Sequence, residues 1–115
     1  MDISELDTCT IHGEGSELQI KDQLGNDTDV YVTVVGVDSK LWRETLKGNA
    51  RKSGDDKLSD NEILAKVCLS FRGLESEGKE IPFSYEAILN LLEIAPYIAD
   101  QIDRFIGNRA NFTKS

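Results

Sequence analysis

The stretch Val30-Tyr31-Val32-Thr33-Val34-Val35-Gly36-Val37 decides the fold. Its β-branched content and alternation mark a strand, with Val30, Val32 and Val34 on one face and Tyr31, Thr33, Val35 and Val37 on the other. Both faces are largely apolar, so this strand calls for cover on two sides, from helices or from a second subunit. Glu17 to Lys21 alternates in the same way, with Leu18 and Ile20 on one side. The connector Asp22-Gln23-Leu24-Gly25-Asn26-Asp27-Thr28-Asp29 supplies glycine and Asx residues suited to closing a turn. Together they predict an antiparallel hairpin, and Asp7 to Ile11 is expected to add a short third strand.

Beyond the strand the apolar spacing becomes helical. Gly36 closes the strand, and Asp38 or Ser39 caps a helix expected from Lys40 to about Ala50, with Leu41, Trp42, Thr45 and Leu46 at helical spacing. The polar stretch at about 48–57 has no apolar period and reads as a flexible loop. Ser59 and Glu62 make a capping box for a second helix, in which Ile63, Leu64, Val67, Cys68 and Phe71 continue until Gly73. Gly78 to Phe83 reads as a turn and a short extended piece, because Pro82 drives Ile81 out of the α region. Ser84 caps a third helix whose inward residues are Ile88, Leu89, Leu91, Leu92 and Ala95. Pro96 stops it and suits the first position of a fourth, striped by Tyr97, Ile98, Ile102, Phe105 and Ile106 and ended by Gly107-Asn108. Residues 111–115 form a short polar tail. The expectation is one α+β domain over residues 1–115, an amino-terminal antiparallel hairpin or small sheet packed against about four α-helices.

Composition narrows the functional classes. The chain has 115 residues, with 13 Lys plus Arg against 21 Asp plus Glu, a net charge of −8 and a pI near 4.6. Such a field repels phosphate backbones and anionic lipid heads, so neither nucleic acid nor a membrane is expected as partner. No apolar run approaches the roughly 18 residues a membrane span needs, and Met1-Asp2-Ile3-Ser4-Glu5 does not resemble a secretory leader, which predicts a cytoplasmic protein. Cys9 and Cys68 are too far apart for a CxxC pair or half a zinc site, and free thiols in a reducing compartment are the simplest account.

Catalytic chemistry finds little support. The one histidine, His12, sits beside Gly13 and reads as a solvated loop residue. Cys68 falls on an inward stripe with Leu64 and Phe71, where burial makes a thiol inert. Gly13-Glu14-Gly15 precedes a strand rather than opening a helix, so it is a turn and not a phosphate cradle. Asp22, Asp27 and Asp29 do not match a calcium loop, because Leu24 falls where a ligand is needed. Of the paired acids, Asp55-Asp56 lies in the loop and Asp100 with Asp103 faces outward from the last helix. The basic run Lys40, Arg43, Lys47, Arg51 and Lys52 reads as a solvated helix face, with docking to an acidic protein surface as its rival. No enzyme activity, cofactor or metal is expected.

Binding to other proteins is the expected work. Leu91, Leu92, Tyr97, Ile98, Phe105 and Phe112 exceed what one helix stripe buries, so part of this set is a candidate protein-binding patch, with Trp42 as a second anchor. Ordinary core is the competing reading for each of them. Self-association remains open because of the two-sided strand.

Three stretches in order resemble the tail assembly chaperones of bacteriophages with long, non-contractile tails, the lambda-like and HK97-like group. The first is Leu24 to Ser39, a turn and strand leading to Gly36-Val37-Asp38-Ser39, followed by Trp42-Arg43. The second is Gly78-Lys79-Glu80-Ile81-Pro82-Phe83-Ser84-Tyr85-Glu86 leading into Ala87 to Leu92. The third is Pro96, then Gln101-Ile102-Asp103-Arg104-Phe105-Ile106 and Asn108-Arg109-Ala110-Asn111-Phe112. The resemblance implies a non-enzymatic protein of the host cytoplasm that coats the aggregation-prone tape measure protein. It also implies help in recruiting tail tube protein, in some members through a frameshifted longer form, and absence from the mature virion. The alternative is a structural tail or tail-completion protein retained in the particle.

Overall fold

Strands β1 (Ser16–Lys21) and β2 (Asp27–Val34) form the expected hairpin, with Leu18 opposite Val32 and Ser16 opposite Val34. The computed structural model describes residues 1–113, apart from the side chain of Asp55. Lys114 and Ser115 of the expected tail, and Asp55 of the Asp55-Asp56 pair, lie outside the described residues. Two acids of the hairpin connector, Asp22 and Asp27, are engaged at the turn. Asp22 Oδ1 accepts the N–H groups of Leu24 and Asn26 at 2.9 and 3.0 Å, and Lys21 pairs with Asp27 at 3.1 Å. An Asx side chain can satisfy the backbone of a tight turn in this way, which accounts for Asp22.

The third strand is not the one expected. Asp7 to Ile11 is not extended: Asp7 caps helix α1 (Thr8–Glu14), its carboxylate accepting the N–H of Thr10 at 3.1 Å and the Thr10 hydroxyl at 2.8 Å. The partner of β2 is instead β3 (Cys68–Arg72), giving an antiparallel sheet of order β1-β2-β3. The helix expected to run to Gly73 therefore stops at Val67. Cys68 and Phe71 sit at a spacing that a helix and a bulged strand both accommodate. The open edge of β2 settles it, because a buried central strand needs hydrogen-bond partners on both sides. Phe71 pairs with Val32 and Cys68 with Val34, with the register slipping between Thr33 and Val34. Gly73 follows at φ 87°, where a side chain would also strike the Asp29 carbonyl.

The sheet is covered on its two faces by different means. On the inner face Val32 and Val34 are fully buried, together with Ile20 and Phe71. The outer face is polar where the three strands pair. The Arg72 guanidinium lies 3.8 Å above the Tyr31 ring and grips both Glu17 carboxylate oxygens at 3.0 Å, so three strands are tied across one polar surface. Apolar cover on this face is confined to its far end, where Val35 is buried and Val37 packs against the core, while Tyr31 and Thr33 lie on the polar part.

The helices α2 (Lys40–Ala50), α3 (Asp60–Val67), α4 (Tyr85–Ile94) and α5 (Pro96–Gly107) follow the expected starts. Ser39, Ser59 and Ser84 cap the first three, and the Ser59-Glu62 box closes reciprocally at 3.0 and 3.2 Å. A minimal hairpin, β4 (Glu75–Ser76) with β5 (Lys79–Glu80), joins the sheet to α4. Ile88 and Leu92 of α4 and Ile98, Ile102 and Ile106 of α5 fill the core beneath the sheet with Leu64 and Val67. Gln101 secures α5 to the hairpin by accepting from the Lys21 N–H at 2.8 Å and donating to its carbonyl at 2.7 Å. Among the described residues no helix is long and apolar enough to cross a membrane.

Candidate functional site

A groove of about 470 Å³ opens between α2, α3 and α5. Trp42 and Leu46, one turn apart on α2, form one wall, and Ile63 and Leu64 of α3 form another. Pro96, Ala99, Asp100 and Asp103 lie on one stripe of α5, at steps of three and four residues. The same helix therefore serves two surfaces: Ile98, Ile102 and Ile106 turn into the core while the Ala99 stripe borders the groove. Helix α2 contributes no fully buried residue, and Leu41 and Leu46 are each 39% exposed, so it stands as a peripheral wall. The rim carries Asp60, Asp100 and Asp103, all exposed.

The residues expected to bind protein are divided by the structure. Leu92, Ile98 and Phe112 are buried within the chain, which corrects their assignment to a surface patch: they hold the core together. Trp42, Leu91, Tyr97 and Phe105 are half-buried and pack against that core. Only Trp42 of the set borders the groove. Phe105 meets Phe112 edge-on at 5.5 Å between centroids and borders a shallow depression on a different face of α5, with Leu18, Gln101 and Arg104. Leu46, Ile63 and Leu64 are legible in the sequence only as residues at helical spacing, and Ala99 carries no signal there. Their junction depends on how three helices meet.

A second cluster joins the two ends of the chain. His12, expected in solvent, is 1% exposed, with its ring stacked on Phe112. Its Nδ1 accepts the Asp38 N–H at 3.1 Å, and its carbonyl accepts the Gly36 N–H at 3.0 Å. Burial holds the imidazole pKa below its ordinary value, opposed by the nearby Asp38 carboxylate and assisted by Arg109. Asp38 accepts two bonds from Arg109, at 3.0 and 2.9 Å, one from the Thr8 hydroxyl at 2.6 Å and one from Arg43 at 3.2 Å. Arg109, Thr8 and Arg43 hold its carboxyl well below the usual carboxylate range against the cost of burial. These bonds tie α1, the β2–α2 junction and Arg109 together.

Cys68 lies buried at the start of β3, donating its thiol to the Leu64 carbonyl at 3.2 Å, and burial pushes its pKa up to about 12. Among the described residues no group of three His, Cys, Asp or Glu side chains is placed to hold a metal ion. What the surface offers is a recess with apolar walls and an acidic border, suited to a side chain or a helix face. Comparison of the chain with protein-family models, curated proteins and solved structures finds no match.

Proposed function

We propose that the chain is a tail assembly chaperone of a long-tailed, non-contractile bacteriophage, which holds helical segments of the tape measure protein during assembly in the host cytoplasm and departs before the virion is complete. The observation that carries this reading is the groove between α2, α3 and α5, a recess with apolar walls beside the core. A recess bounded by Trp42, Leu46 and Ile63 suits the apolar stripe of an amphipathic helix, and shielding such a stripe requires no covalent step. The ordered resemblance of Leu24 to Ser39, Gly78 to Leu92 and Pro96 to Phe112 to the chaperone group supplies the biological setting. A net charge of −8 suits a coating protein, because coated segments repel one another rather than aggregate. Recruitment of tail tube protein, directly or through a longer frameshifted form, belongs to the same reading.

The test is co-expression with the tape measure protein encoded in the same genome. The tape measure protein is expected to become soluble and to co-purify with this chain. Its remaining insoluble beside well-folded chain would overturn the reading, and so would a stoichiometric band of this chain in purified mature tails.

A further inference from the structure

We infer that the groove selects an amphipathic helix whose apolar stripe is flanked by lysines or arginines; this rests on the chaperone reading and specifies the chemistry of its client. Asp60, Asp100 and Asp103 stand exposed around the recess, and none of them forms an ion pair among the described residues. Elsewhere Glu17 is matched by Arg72, Asp27 by Lys21, and Asp38 by Arg43 and Arg109. No lysine or arginine lines the groove.

Three unmatched like charges beside a low-dielectric wall repel one another and attract a cation more strongly than the same charges would in open water. A helix seating its apolar stripe between Trp42 and Ile63 would bring the residues that flank its stripe against this rim. Cationic flanks then gain, and acidic flanks lose. The most exposed apolar residues of a second copy, Met1, Ile3, Leu6, Leu24 and Ile94, make poor occupants because each has an acid within two residues: Asp2, Glu5, Asp7, Asp22 or Glu93.

Trp42 is the one tryptophan of the chain, so its fluorescence reports on this groove directly. The probes are two designed peptides of about 18 residues, long enough to be helical. Both carry leucines at helical spacing; one places lysines beside the stripe and the other glutamates. The lysine peptide is expected to give a saturable change that weakens as salt is added, and the glutamate peptide none. Replacing the rim together, Asp60→Asn with Asp100→Asn and Asp103→Asn, is expected to weaken the lysine peptide about tenfold. These residues are exposed, and circular dichroism verifies that the variant stays folded. Equal binding of both peptides, binding of neither, or unchanged affinity in the triple variant overturns the inference. Solubilisation of the tape measure protein is scored separately: its persistence with the triple variant overturns the rim's role alone, whereas its failure with the unaltered chain overturns the chaperone reading.

Discussion

The imidazole of His12 lies stacked on the ring of Phe112, with centroids 4.9 Å apart and planes 30° apart. One residue comes from the first α-helix and the other from the last turn of the described chain, so this contact closes the two ends onto the β2–α2 junction. The contact is available because residue 36 is glycine: a Cβ there would be driven into the His12 ring.

Gly36→Ala is therefore expected to destabilise the fold by about 2 to 3 kcal/mol, as forced overpacking of a fixed ring does. His12→Ala alone removes a packed ring and the acceptor of the Asp38 N–H, and is expected to cost about 2 to 4 kcal/mol. In the double variant the alanine at 36 has no ring to strike, so its cost measured by urea denaturation should be well below the sum of the two. Additive costs would refute direct contact as the cause.

Two groups of this cluster set the response to acid, both in the same direction. Burial depresses the folded pKa of His12, so the unfolded chain takes up the proton first. Its contribution is full above about pH 6.5, the unfolded value, and declines as the pH falls toward the folded one. The Asp38 carboxyl is likewise depressed in the folded state, by its bonds from Arg109, Thr8 and Arg43. Its contribution is present above about pH 3.9 and is lost below it. Thermal melts should thus show one decline beginning below about pH 6.5, absent from His12→Phe, and a steeper one below about pH 3.9 that is shallower in Asp38→Asn, the remainder coming from other depressed carboxyls such as Glu17 and Glu62. A His12 titration midpoint at or above that of a free histidine, read by NMR, would contradict the first.

The two thiols should differ sharply in reactivity. Cys9 is exposed on α1, whereas Cys68 is buried with its pKa pushed up to about 12. A neutral-pH thiol reagent is expected to modify one cysteine promptly in the folded protein and the second only in denaturant. Prompt modification of both in the native state would show that the β3 edge opens readily.

Much of this architecture can be read from local signals. The Val30–Val34 alternation, the Ser59-Glu62 box, the Ser84 cap and Pro96 at a helix start each act within a few residues, and each forms where the spacing places it. The misreadings share a cause. Asp7 to Ile11 lacks a clear period, and the helix there is secured by the Asp7 cap and by insertion of His12 beneath Gly36. Cys68 to Arg72 fits either period, and the vacant edge of β2 selects the strand. A count of apolar residues near the carboxyl end does not distinguish the interior from a groove. Leu92, Ile98 and Phe112 went inside, while Leu46 and Ala99 came to border the recess.

Local chemistry along the chain determined the α+β class, the helix starts and the acidic character of the molecule. Tertiary structure alone decided that His12 is interior, that β3 completes the sheet, and that Asp60 meets Asp100 and Asp103 around one recess. Capping and alternation are satisfied by neighbours within a turn, so they survive being read one window at a time. Burial and charge pairing depend on which distant side chains arrive at the same place, and that is set only when the sheet and helices pack.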